Sequence, residues 1–273
     1  MGKTNAVVVD YEAINLSASE IGSIIHTISL IPVTLNTGKM EQFTIHCERG
    51  LIIKIKEILN DKEINEILQT KKEMSHVNNK HIHDMKTCHD NGIPNIRTMK
   101  FYDAIKLHNK FIASNGGVLI GHNLINKLTS CDFKSLVDTQ KRVKGRRILK
   151  NNLASFPMNG MYDKQWKDIK IVDTMSLFFN RCSKMITEYK AWWTVPFDKK
   201  LKVHSLQSLT RFVKNDPSYN ESHSAVQDTI DLFMVLKYAY KCDGPILDKY
   251  SYFAQPNWIT DFRVPLKGSD LKW

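Results

Sequence analysis

At 273 residues, with 42% hydrophobic and 25% charged side chains, the chain has the make-up of a globular protein with room for one substantial core. Its formal net charge of +11 either suits a polyanionic partner, nucleic acid above all, because each neutralised phosphate releases counterions, or serves only to keep the protein soluble. Five scattered cysteines without CxxC spacing exclude a disulfide framework or zinc ribbon, and the absence of a leader-like start or an apolar run near the ~20 residues that span a bilayer predicts a soluble, intracellular protein with no membrane part.

The first element is Ala6-Val7-Val8-Val9-Asp10-Tyr11-Glu12-Ala13, a β-branched run suited to a central strand covered on both faces. Extended stretches follow at Ile21 to Val33 and Phe43 to Ile45, broken by the turn-like Asn36-Thr37-Gly38, so the three read as an antiparallel meander. From Leu51 to Leu68 the spacing of Ile52, Ile55, Ile58, Leu59, Ile64 and Leu68 predicts one or two amphipathic helices. The polar stretch Lys71 to Asn95 reads as an exposed loop. Its His76, His81, His83, Cys88 and His89 could supply zinc ligands, although their spacing fits no common finger.

A helix is expected over Met99 to Ala113, then a short buried strand, Gly117-Val118-Leu119-Ile120-Gly121, ending in His122-Asn123. Helical patterning resumes at Asp132. Beyond it Lys141, Arg142, Lys144, Arg146, Arg147 and Lys150 form a run with no acid, which is either an arm that grips phosphates or a solvated loop. A second short strand, Ile169-Lys170-Ile171-Val172, runs into Asp173-Thr174, and helices are expected over Leu206 to Val213 and Ala225 to Tyr240. After Gly244-Pro245 the chain reads as irregular. Aromatic residues cluster at Tyr189, Trp192, Trp193 and Phe197 and again at Tyr250, Tyr252, Phe253 and Trp258, where they either pack on the core or stack on unpaired bases. The organisation expected is one α/β domain over 1–245, with insertions around 71–98 and 138–168, and a tail over 246–273 that packs on it or extends from it.

Three pieces carry chemistry. Asp10 and Glu12 stand two apart in a strand, so both side chains point to one face at its carboxyl end, where charges are costly unless a cation accompanies them. Near the far end, Ser224 and Gln227 have capping-box spacing, which starts a helix there, leaves His223 just before it and puts Asp228 in its first turns. Between them, the strand end at His122-Asn123 precedes Asp132, at the opening of a helix that Phe133, Leu136 and Val137 can anchor.

In this order the pieces resemble the motifs of the DnaQ-like (DEDDh) exonucleases of the ribonuclease H-like superfamily: a strand DxE, a strand-to-helix HN with a following aspartate, and HxAxxD on the last helix. His223-Ser224-Ala225-Val226-Gln227-Asp228 matches the third motif at every defined position, and Gly121-His122-Asn123 matches the start of the second. Glu20-Ile21-Gly22, Val172-Asp173-Thr174 and Leu206-Gln207-Ser208-Leu209 also look like the family, and the likeness spans about residues 4 to 240. In the family the second-motif aspartate follows HN more closely than Asp132 does here, and Asp138 is the alternative.

The resemblance implies a ribonuclease H-like α/β fold, with a central mixed sheet of a three-strand antiparallel meander plus parallel strands, flanked by helices. It implies that Asp10, Glu12, Asp132 and Asp228 hold two Mg²⁺ or Mn²⁺ ions, Asp10 bridging both, with His223 as general base. Ala13 and Ile14 would line the terminal nucleotide, alongside His122 and Asn123, with Lys141, Arg142, Lys144, Arg146 and Arg147 on the phosphates beyond. The activity implied is 3′-to-5′ removal of nucleotides from single-stranded ends, RNA favoured over DNA. A DNA exonuclease of the proofreading or repair kind and a catalytically silent nucleic-acid-binding module on the same fold are the alternatives.

Overall fold

A computed structural model of the protein describes residues 3–15, 23–36, 43–56, 73–122, 170–193, 205–220 and 224–249. Its centre is a mixed sheet. Strand β1 (Lys3–Asn15) pairs antiparallel with β2 (Ser23–Asn36) on one side and parallel with β6 (Val118–Gly121) on the other. Strand β4 (Leu51–Ile55) pairs antiparallel with β2 and parallel with β5 (Asn95–Met99), and β7 (Lys170–Asp173) pairs parallel with β6. The order across the sheet is therefore β5-β4-β2-β1-β6-β7, and β3 (Thr44–Ile45) pairs with β2 off this path. Among the described strands only β2 runs against the rest.

The continuous apolar runs explain the central positions. Val7, Val8 and Val9 of β1, Leu119 and Ile120 of β6, and Leu51, Ile52 and Ile53 of β4 are all buried, as in strands with both faces covered. Ala6 and Val8 face one side and, with Ile120 and Val172, meet Leu232 and Leu236 of the long helix α6 (Ala225–Asp243). On the same side lie α3 (Thr174–Arg181), α4 (Ser183–Trp193) and α5 (Leu206–Lys214), whose Phe178, Met185, Tyr189 and Leu209 fill the same cluster. The alternation of the strand turns Tyr11 to the opposite face, where His108 of α2 (Phe101–Ser114) meets it. The turn from α2 into β6 uses Gly116 at φ +104°, with Asn5 O only 2.2 Å from where a Cβ would sit, so a side chain there is excluded.

The structure departs from the sequence reading in three places. Leu51–Ile55, expected to open a helix, is strand β4, the third long strand of the antiparallel part, whereas β3, expected in that role, is a two-residue bridge. A short apolar run satisfies helical and extended spacing equally, and pairing with β2 and β5 decides between them. The stretch expected as a loop over Lys71 to Asn95 holds helix α1 (Glu73–Asp90), and the segment after it supplies the edge strand β5. Helix α4 carries Tyr189, Trp192 and Trp193 of the first aromatic cluster, and there Tyr189 is fully buried and stacks edge-on to Phe212 at 5.4 Å, with Trp192 5.7 Å from the same ring; Phe197 lies outside the described residues. The tail begins with a 3-10 turn, Ile246–Lys249, whose Ile246 and Leu247 enter the core; the later aromatics lie outside the described residues.

Candidate metal centre

Asp10 and Glu12 leave β1 on the same face as Ala6 and Val8, and a shift in the β1–β2 register between Glu12 and Ala13 follows them. Such a bulge bends a strand and re-aims the side chains beside it. Asp228 comes from the first turn of α6. Ligand atoms of the three carboxylates lie within 4.8 Å of one another, and the residues are only 5%, 8% and 4% exposed. Two residues from the start of the chain and one from near its end thus meet in a single buried pocket of acid.

The α6 end of this arrangement is capped twice. Ser224 is the N-cap, its Oγ accepting from Gln227 N at 3.3 Å, which is the bond expected from the capping spacing. The Ser224 hydroxyl in turn donates to Asp84 Oδ1 of α1 at 2.5 Å, and Val226 N donates to the same oxygen at 3.4 Å. Burial pushes the Asp84 carboxyl up, against the lowering effect of those two bonds, and its Oδ2 meets no hydrogen-bond partner among the described residues. One turn before Asp84, Lys80 Nζ lies 2.6 Å from Glu12 Oε2. Helix α1 therefore touches Glu12 directly and holds the start of the helix that carries Asp228.

Behind Glu12 the sheet face is polar. Register aligns Glu12, Thr27 and Lys54 across β1, β2 and β4, and Thr27 Oγ1 lies 3.0 Å from His26 Nδ1 and 3.4 Å from His81 Nδ1. Burial lowers the His81 imidazole to about 4, with the nearby Lys54 charge acting in the same direction. Burial also lowers Lys54. On the other side of β1, His122 is buried just past the end of β6, its Nδ1 3.1 Å from Thr174 Oγ1, and Thr174 donates to Gly121 O at 3.2 Å. Asp173 caps α3 by accepting from Met175 N at 3.0 Å. These bonds tie the ends of β6 and β7 together, two residues beyond the Val8–Ile120 pairing that leads towards Asp10.

Of the residues singled out in the sequence, Asp10, Glu12 and Asp228 come together. His122 is buried in the bonds just given. Ala13 and Ile14 continue β1, paired with Ile25 and Ile24, and their side chains lie outside the described residues. So do His223, Asn123, Asp132, Asp138, Lys141, Arg142, Lys144, Arg146 and Arg147. Among the described residues, His81, His83, Cys88 and His89 are not part of any group with metal-binding reach. Lys80 and Asp84 were not anticipated. The signal for them is the spacing of His81, Asp84, Thr87 and Cys88, a helical face written in polar residues and a cysteine.

The donor set fits a divalent cation. Three buried carboxylates in one group repel one another, and hard oxygen donors, with no thiolate or imidazole in the group among the described residues, are a set that could hold such an ion. Lys80 offsets part of that charge. No family model matches the chain, and no curated protein matches it. No helix among the described residues is long and apolar enough to cross a membrane.

Proposed function

We propose that the protein is a metal-dependent 3′-to-5′ exonuclease of the DnaQ-like kind on a ribonuclease H-like fold. It hydrolyses phosphodiester bonds at the 3′ end of single-stranded nucleic acid, RNA favoured over DNA, and releases nucleoside 5′-monophosphates. The observation that carries this reading is the meeting of Asp10 and Glu12 with Asp228, whose helix opens on the motif that contains His223. The mixed sheet, with β1 between β2 and β6 and α6 across its face, is compatible with that fold.

In this reading Asp10 and Glu12 from β1 and Asp228 from α6 would hold the cations, with Asp132 as the fourth carboxylate. When bound, a pair of divalent cations supplies an activated water and charge stabilisation at the departing 3′ oxygen. His223 takes the proton from the attacking water, a task suited to an imidazole titrating near neutral pH. The Ser224 cap and the Asp84 bond beneath it fix the helix start that follows His223. Ala13, Ile14, His122 and Asn123 contact the terminal nucleotide, and the Lys141 to Arg147 run grips phosphates farther along the strand. The net charge of +11 draws the strand in.

A time course on 3′- and 5′-end-labelled RNA and DNA, with and without Mg²⁺ and with an Asp10→Ala control, tests the proposal. Stepwise, Mg²⁺-dependent shortening from the 3′ end, lost in Asp10→Ala, is expected. Cleavage confined to internal positions, or metal-independent cleavage, would refute it. Shortening of DNA but not RNA would select the DNA exonuclease.

A further inference from the structure

We propose that Lys80 is a built-in counter-ion of the acidic site, competing with a divalent cation for Glu12, so that cation binding displaces its ammonium. The inference rests on the cation-site reading above and adds a residue that the motifs do not contain. Lys80 Nζ stands 2.6 Å from Glu12 Oε2, and the two side chains are only 11% and 10% exposed. At that separation and burial the pair is held by more than a screened surface attraction, and removing either charge strands the other.

The position of Lys80 is imposed from outside the acidic group. Asp84, one turn along α1 on the same face, accepts from Ser224 and Val226 at the start of α6. His81, the next residue after Lys80, is buried against Thr27 of β2. The backbone that launches Lys80 is thus anchored to both α6 and the sheet, and only its flexible four-carbon stem has to move. In the absence of a cation the ammonium relieves the repulsion among Glu12, Asp10 and Asp228. A cation drawing on the Glu12 carboxylate faces that ammonium as a like charge at the same group, so the two bind in competition.

The test is calorimetric titration of Mn²⁺ alone into the full chain, in wild-type, Lys80→Met, Lys80→Arg and Asp10→Asn forms, with thermal melts in EDTA and in saturating Mn²⁺. Lys80→Met should bind Mn²⁺ on the order of tenfold more tightly than wild type, the usual size of coupling between two ligands. Lys80→Arg, which keeps the charge, should stay near wild type. In EDTA Lys80→Met should melt below wild type, and saturating Mn²⁺ should narrow that gap. Lys80→Gln carries the same expectations and takes the place of Lys80→Met if that variant does not fold. Mn²⁺ affinity in the neutral variant equal to or weaker than wild type, while Asp10→Asn loses binding, overturns the role of Lys80 alone. A wild type that binds no Mn²⁺, or an Asp10→Asn that binds it normally, overturns the cation-site reading and this proposal together.

Discussion

The Tyr11 hydroxyl and His108 Nε2 lie 2.8 Å apart across the face of the sheet opposite the acidic group. His108 Nδ1 lies 3.0 Å from Asn109 Oδ1, and with that oxygen accepting, the imidazole is neutral, with Nε2 accepting from Tyr11. Tyr11 is the residue between Asp10 and Glu12, so the strand that presents the two carboxylates is fastened from behind by this bond. Tyr11→Phe should lower stability by about 1 to 2 kcal/mol, the cost of one buried hydrogen bond. Urea unfolding monitored by circular dichroism measures it; an unchanged midpoint would mean the bond contributes nothing.

Acid should unfold the protein from higher pH than carboxylates alone would dictate. Burial lowers both His108 and His81 to about 4 from an ordinary 6.5. Between those values the unfolded chain binds protons that the folded chain refuses, so stability falls as pH drops through the window from 6.5 to about 4 and loses nothing further to these groups below it. The fully buried His108 alone should account for about 3 kcal/mol of that loss. Unfolding free energies measured at steps of pH, with His108→Gln for comparison, check the slope, which should be shallower in the variant.

Asp84→Ala should both destabilise the fold and weaken Mn²⁺ binding. It removes the acceptor for the Ser224 hydroxyl and Val226 N, at a cost of about 2 to 3 kcal/mol from the cap and the buried polar groups combined. Because Asp228 lies in the same first turn, loosening it should weaken Mn²⁺ binding as well. Asp84→Asn keeps an acceptor oxygen and should lose less of both. Melting and Mn²⁺ titration of the two variants separate the effects, and equal losses would contradict the role of the acceptor.

His223→Ala should reduce the rate of a single turnover by on the order of a hundredfold or more, as expected for loss of a general base. Binding of a labelled oligonucleotide, followed by fluorescence anisotropy in Ca²⁺, should change little. Near-normal turnover at saturating Mg²⁺ would remove His223 from the mechanism.

Local rules make part of this site legible from the chain alone. The period of two in a strand is enough to put Asp10 and Glu12 on one face, and the spacing of Ser224 and Gln227 is enough to start α6 where Asp228 falls in its first turn. The buried strands β1 and β6 announce themselves as β-branched or apolar runs for the same reason. Helix α1 does not, because hydrophobic periodicity is the signal being read and α1 buries His81, Asp84 and Thr87 beside Cys88 while leaving Ile82 and Met85 in solvent. Its apolar pattern points the wrong way.

By itself, then, the sequence determines which residues share a strand face or a helix turn, since those relations follow from backbone geometry within a few residues. Only the tertiary structure decides that Asp228 meets Asp10 and Glu12 within 4.8 Å, that Lys80 of α1 pairs with Glu12, and that Asp84 of α1 holds the start of α6. Those contacts arise because α1 has a polar face and the sheet offers Thr27, Lys54 and Glu12 in one row to receive it. Complementarity between two polar surfaces depends on partners far apart in the chain, so local spacing can mark the polar face of α1 but not the surface that receives it.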